Sequence, residues 1–164
     1  MLTLKVMKLF AFLSMSSAVL AIPESPTSKS SGMAPFAPAT AYQRAFDRCS
    51  TEKHHKAVMA HPADILDCLE IGEWAKKNNG MWILDALTDA NDDNNWHTLR
   101  VQGTCALIVQ NTKPTSVGNK DVVDLIEAVH MGDGIELGPI EERGTFGGCQ
   151  GDADVSFWLR DSEL

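Results

Sequence analysis

Four cysteines, Cys49, Cys68, Cys105 and Cys149, constrain this chain more than any other feature. They follow a stretch that reads as a secretory signal peptide. Lys5 and Lys8 form its positive start, Leu9 to Leu20 its short apolar run, and Val19-Leu20-Ala21 its cleavage signal. An even number of cysteines in an exported chain predicts two disulfides, and four cysteines allow three connectivities. The nested pairing, Cys68 with Cys105 and Cys49 with Cys149, is favoured: the first bond would tie a helix to a central strand, and the second would join the ends of the domain. The sequence alone leaves all three open. In the chain-entropy picture the two nested loops are worth about 4 and about 5 kcal/mol.

The organisation expected is a signal peptide over 1–21, a disordered leader over 22–41 and one domain over 42–164. Ser14, Ser16 and Ser17 interrupt the apolar run, which is too short for a membrane span, and no second apolar segment follows. A soluble, secreted protein without stable membrane insertion is therefore expected. The leader is rich in Pro, Ser, Thr and Ala and can bury little surface against its ordering entropy. The formal charge is −8, and loss of Lys5 and Lys8 makes it more negative. Such a surface argues against nucleic acid or anionic membrane as a partner bound through bulk charge.

Trp96 to Gln110 reads as a hairpin around Gln102-Gly103. A loop of those two residues would set Arg100 opposite Cys105, Thr98 opposite Leu107 and Trp96 opposite Val109. The second strand is apolar on both faces and should be central. Ala45 to Thr51 suggests an edge strand carrying Cys49, and Lys53 to Lys56 a loop. A helix starts near His61-Pro62-Ala63-Asp64, with Asp64 in its first turn, carries Ile65, Cys68, Leu69, Gly72 and Ala75 on one stripe, and stops at Asn78-Asn79-Gly80. Met81 to Leu84 reads as a strand. Asn119 is placed to cap a second helix, Lys120 to His130, with Val122, Leu125, Ile126 and Val129 on its apolar stripe, ended by Gly132-Asp133-Gly134. The tail offers a strand near Ile135 to Leu137, a glycine-rich loop from Gly144 to Gly151, and a last strand, Val155 to Leu159. The fold class is α+β: an antiparallel sheet of about five short strands with two packed helices, a disulfide-stabilised sandwich.

Candidate chemistry is thin. Asp89, Asn91, Asp93 and Asn95 alternate like calcium-loop ligands, but Asn94 stands where Gly is needed and Arg100 where the bidentate Glu belongs. His54, His55 and His61 lack a carboxylate or free cysteine at ligand spacing, so no metal or other cofactor is expected. Cys149 within Gly147-Gly148-Cys149-Gln150-Gly151 looks like a nucleophile on a turn, yet catalysis there would leave a cysteine unpaired. Glu141 and Glu142 are adjacent and would face opposite ways on a strand, poor geometry for a carboxylate pair, and read as a solvated loop. Trp74, Trp82, Trp96 and Trp158 could form a row for sugars or a partner, but three of the four are expected to be at least partly buried. Glu163-Leu164 ends the chain as lumenal retention signals do, but Asp161-Ser162 is the wrong preceding pair.

Asp67-Cys68 on a helix, Trp82, Gly103-Thr104-Cys105-Ala106 on a strand, Asp121-Val122-Val123-Asp124-Leu125-Ile126 opening a helix, the glycine-rich approach to Cys149 and an aromatic last strand come in a distinctive order. In this the chain resembles the necrosis-inducing factor family of secreted fungal effectors, the homologues of extracellular protein two. The resemblance spans most of Cys49 to Leu159. Leu107 departs from it where an aromatic is expected, and Ile140 to Gly148 is long and charged.

The resemblance implies an apoplastic fungal protein that provokes death or recognition of plant host cells, and a likeness in fold to killer toxins with an α/β sandwich. It carries over the four cysteines and no catalytic residue. The expectation is a non-enzymatic, monomeric effector that binds an unidentified apoplastic or cell-surface target. The alternative is a killer-toxin-like antimicrobial acting on competing microbes.

Overall fold

The computed structural model describes residues 32–40, 46–87, 95–132 and 138–163. The signal-peptide segment, the calcium-like run over 88–94 and the strand expected near Ile135 to Leu137 lie outside them.

Alternation builds the main sheet. On β10 (Ala153–Asp161), Val155, Phe157 and Leu159 are buried on one face, and on β6 (Cys105–Asn111) so are Cys105, Leu107 and Val109. These strands pair antiparallel at the heart of a five-stranded sheet. It is completed by β2 (Thr51–Lys56), β5 (His97–Gln102) and β9 (Glu142–Cys149), in the order β2-β9-β10-β6-β5. A three-stranded sheet orders β1 (Phe36–Pro38), β4 (Gly80–Leu84) and β7 (Thr115–Gly118) as β1-β4-β7. Two short strands, β3 (Ala63–Asp64) and β8 (Pro139–Ile140), pair with each other. Helices α1 (Ile65–Lys77) and α2 (Asn119–Gly132) supply the rest of the core. Ile71, Cys68 and Ala75 of α1 and Val122, Leu125 and Ile126 of α2 lie in the same cluster as the inner face of the main sheet. The fold is thus α+β, as expected.

Both nested disulfides are formed, Cys49–Cys149 and Cys68–Cys105. The second anchors α1 to the start of β6. The first joins the segment before β2 to the end of β9, across a sequence separation of 100.

Several expectations are corrected. Gly32 to Thr40 belongs to the fold rather than to a disordered leader: Ala34 is buried, β1 pairs with β4, and the Phe36 ring meets Trp74 and Trp82 edge-on at 5.1 and 4.9 Å. A sparse set of apolar residues suffices because partners wait on the rest of the domain. Lys53 to Lys56 is an edge strand, since β9 supplies its backbone hydrogen bonds whatever the side chains are. The expected glycine-rich loop is largely β9. At Gly144 a Cβ would run into the Lys53 carbonyl and the Phe157 ring, so glycine lets β2 approach.

The hairpin turn shifts by one residue, to Gly103-Thr104, with Gln102 opposite Cys105 and Arg100 opposite Leu107. A register irregularity between Thr98 and Arg100 follows. The cause lies on α1: the Asp67 carboxylate accepts the Thr104 N–H at 2.7 Å and its hydroxyl at 2.8 Å, while Gly103 takes φ +51°. Helix α1 itself starts one turn late, because Ala63 and Asp64 pair with β8 and leave Asp64 as the N-cap, accepting from the Leu66 N–H at 2.9 Å.

Asn119 does not cap its own helix. Its Oδ1 accepts the N–H of Phe46 at 2.9 Å and of Gly80 at 3.3 Å. Asp121 takes over, accepting from Gly118 at 2.7 Å and from Arg48 and Cys49 at 3.1 and 3.2 Å. The start of α2 therefore grips residues 46–49 and delivers Cys49 to its partner.

Candidate functional site

The helices cover one face of the main sheet. On the opposite face, strand alternation brings together residues from four separate places. Trp158 of β10 stands opposite Arg143 of β9 on one side and Ile108 of β6 on the other, and Arg143 stands opposite His55 of β2. Arg160 follows Trp158 two positions along the same strand and shares its face.

A cleft of about 650 Å³ opens here, lined by His55, Lys56, His61, Arg143, Trp158 and Arg160. The Trp158 indole is its scaffold. It is only 6% exposed, with the Arg143 guanidinium 3.6 Å and the Arg160 guanidinium 4.4 Å from its ring centroid. Trp96 meets it edge-on at 6.0 Å. A ring so occupied offers little open face to a sugar. Instead it holds two planar cations, which the ring quadrupole attracts.

Glu141 closes the floor of the cleft. Its side chain is buried, yet both oxygens are engaged: Oε1 accepts the Trp158 indole N–H at 3.0 Å, and Oε2 accepts the His61 N–H at 2.8 Å. Its backbone carbonyl accepts the Ala57 N–H at 3.0 Å. One residue thus ties the last strand to the 57–61 wall. Burial holds the Arg160 guanidinium below its ordinary range, Glu141 pulling it up and Arg143 pushing it further down. Arginine has so high an intrinsic value that it stays charged.

A second hollow of about 550 Å³ lies between the helices, lined by Leu69, Gly72, Val123 and Ile126. Its charged rim is spent on itself, since Lys76 pairs with Glu73 at 2.8 Å and with Glu127 at 3.2 Å. The sheet-face cleft is the better candidate, because two guanidinium groups are held side by side on one indole at its wall.

The residues considered for chemistry are placed as follows. His54 and His55, consecutive on β2, part company: His54 lies 3.6 Å from Glu142, while His55 joins His61 at the cleft. Among the described residues no three His, Cys, Asp or Glu side chains converge as metal ligands. Cys149 is bonded to Cys49. Glu141 and Glu142 do face different ways, but both are buried, 1% and 2% exposed, not a solvated loop. Glu142 lies on β9, between β2 and β10, and Glu141 just before it is held by Trp158 and His61. Trp82 and Trp158 are buried and Trp74 and Trp96 half-buried, so the tryptophans form no exposed row.

Lys56, Arg143 and Arg160 were not singled out by the sequence. The available signal was Ser156, Trp158 and Arg160 alternating with Val155, Phe157 and Leu159, which marks a basic outer face once the strand is extended past Leu159.

A family model, Hce2, described as "pathogen effector; putative necrosis-inducing factor", matches residues 48–149. No curated protein matches the chain. The matched stretch contains all four cysteines, together with His55, Lys56, His61, Glu141 and Arg143, and ends before Trp158 and Arg160.

Proposed function

Because this chain belongs to the Hce2 family of pathogen effectors, we propose that it is a secreted necrosis-inducing effector that acts on plant host cells by binding through the sheet-face cleft rather than by catalysis. The observation that carries this reading is the state of Glu141. Among the described residues Glu141 is the carboxylate that lines the cleft, and both its oxygens are engaged in holding the wall, while Arg143 and Arg160 are fixed on an indole. Such an arrangement is preorganised to hold a ligand, and rigid side chains lose little entropy on binding. Two disulfides and the expected signal peptide support action outside the producing cell.

The test is infiltration of leaf tissue with the oxidised protein, the reduced protein and an Arg143→Gln/Arg160→Gln variant checked for native fold. Cell death from the oxidised protein alone is the expected result. Undiminished death from the double variant would overturn the role of the cleft. Product released from cell-wall polysaccharide or peptide with multiple turnovers would overturn binding as the mode of action.

A further inference from the structure

We propose that Cys49 is a thiol-exchange site: a small external thiol attacks its sulfur in the folded protein, and the chain takes up that thiol as a mixed disulfide. This goes beyond the binding cleft and concerns the other end of strand β2.

The two disulfides differ in their surroundings. Cys68 and Cys105 are 2% and 0% exposed, one on α1 and the other at the start of β6, and both belong to the core cluster. Cys149 is 1% exposed, but its partner Cys49 is only half-buried. Ser50 beside Cys49 is exposed, as are Gly148 and Gln150 on either side of Cys149, so this bond sits at an open end of the main sheet. Of the four cysteines, Cys49 is the one that solvent reaches.

The step balances without an oxidant or a metal. The external thiolate forms a bond to Cys49 Sγ, the Cys49–Cys149 bond breaks, and Cys149 departs as a thiolate that takes a proton from water. The products are a mixed disulfide on Cys49 and a free thiol on Cys149.

The fold accommodates both products. The Phe146 carbonyl oxygen lies 3.5 Å from Cys149 Sγ and accepts the new S–H. Residues 46–50 stay docked through bonds that do not involve sulfur. Asn119 Oδ1 accepts the Phe46 N–H at 2.9 Å, and Asp121 accepts those of Arg48 and Cys49 at 3.1 and 3.2 Å. The Ser50 N–H donates to the Gly147 carbonyl at 2.9 Å, and the Lys120 N–H to the Phe46 carbonyl at 3.0 Å. Cys149 therefore remains beside Cys49, placed to attack it in turn and expel the thiol. The site takes up a thiol reversibly and without unfolding the chain.

The experiment treats the oxidised full chain with 2-mercaptoethanol under native conditions, quenches with acid, alkylates with N-ethylmaleimide in denaturant, and maps the four cysteines by mass spectrometry. The early product should carry mercaptoethanol on Cys49 and maleimide on Cys149, with Cys68–Cys105 intact. Opening at Cys49 should run about a hundredfold or more ahead of opening at Cys68–Cys105, because a buried bond waits on an unfolding equilibrium of about 10³ or more against it. Urea below the unfolding transition should leave the Cys49 rate unchanged, and removal of the thiol should restore the parent mass.

Absence of adduct on the folded chain would overturn the inference. So would both disulfides opening together, or an adduct on Cys149 in place of Cys49. A Cys49 rate that climbs with urea as global unfolding does would overturn it as well, since exchange would then belong to the unfolded chain.

Discussion

The indole N–H of Trp158 donates to Glu141 Oε1 at 3.0 Å, and this bond joins the last strand to the far wall of the cleft. The second carboxylate oxygen holds the His61 N–H at 2.8 Å. A buried acceptor with two N–H donors aimed at it is intolerant of a donor in its place.

Glu141→Gln therefore sets an amide NH₂ against one of the two donors and should cost about 1 to 3 kcal/mol. Urea unfolding measures the loss, and hydrogen exchange should show faster opening of residues 57–61. A variant as stable as the parent, with that segment equally protected, would show that Glu141 is not the tie.

The two disulfides should differ in weight. Replacing Cys49 and Cys149 together by serine releases the longer loop and is expected to cost about 5 kcal/mol, against about 4 for Cys68 and Cys105. Equilibrium unfolding of the two paired variants gives the comparison. The Cys49 pair should also loosen β2, which that bond holds near the end of β9.

Asp121 should make stability depend on pH. Burial, helped by a carboxyl hydrogen bond to Asp47, raises its pKa to about 6 from 3.8, against the lowering effect of the N–H groups of Gly118, Arg48 and Cys49. With the folded value raised, protonation favours the fold. This contribution is complete below about pH 4 and is lost as pH rises through about 6, amounting to about 2 kcal/mol after partial solvent screening. Thermal unfolding across that window should show the trend in the parent and lose it in Asp121→Asn.

Gly144→Val should prise the edge strand away. A Cβ there meets the Lys53 carbonyl and the Phe157 ring, so strand β2 or the core must shift. The expected cost is about 2 kcal/mol or more, with accelerated amide exchange over 51–56. Because His55 and Lys56 sit on that strand, the cleft should lose its β2 wall along with it.

Much of the fold is legible in the chain because its causes are local. The stripes at Ile65, Cys68, Gly72 and Ala75 and at Val122, Leu125, Ile126 and Val129 give two helices, and strict alternation gives the last strand. The cysteine count and context give two cross-links. The hairpin was visible too, but its register was not, since a carboxylate on α1 chooses the turn.

What escaped was whatever depends on a neighbour's backbone. Gly32 to Thr40 looks incapable of order until Trp74 and Trp82 receive Phe36. Lys53 to Lys56 looks like a loop until β9 lies beside it.

By itself the sequence determined the α+β class, the two helices, the central hairpin and the family blocks, because helical and strand periods and cysteine chemistry act over short distances. The nested pairing, the strand order and the cleft were decided only in the tertiary structure. His55 with His61, Glu141 with Arg143, and Trp158 with Arg160 come from three separate stretches of the chain. They meet because antiparallel pairing in one register sets their strands side by side, and because burying the inner row of Val155, Phe157 and Leu159 turns Trp158 and Arg160 to the other face.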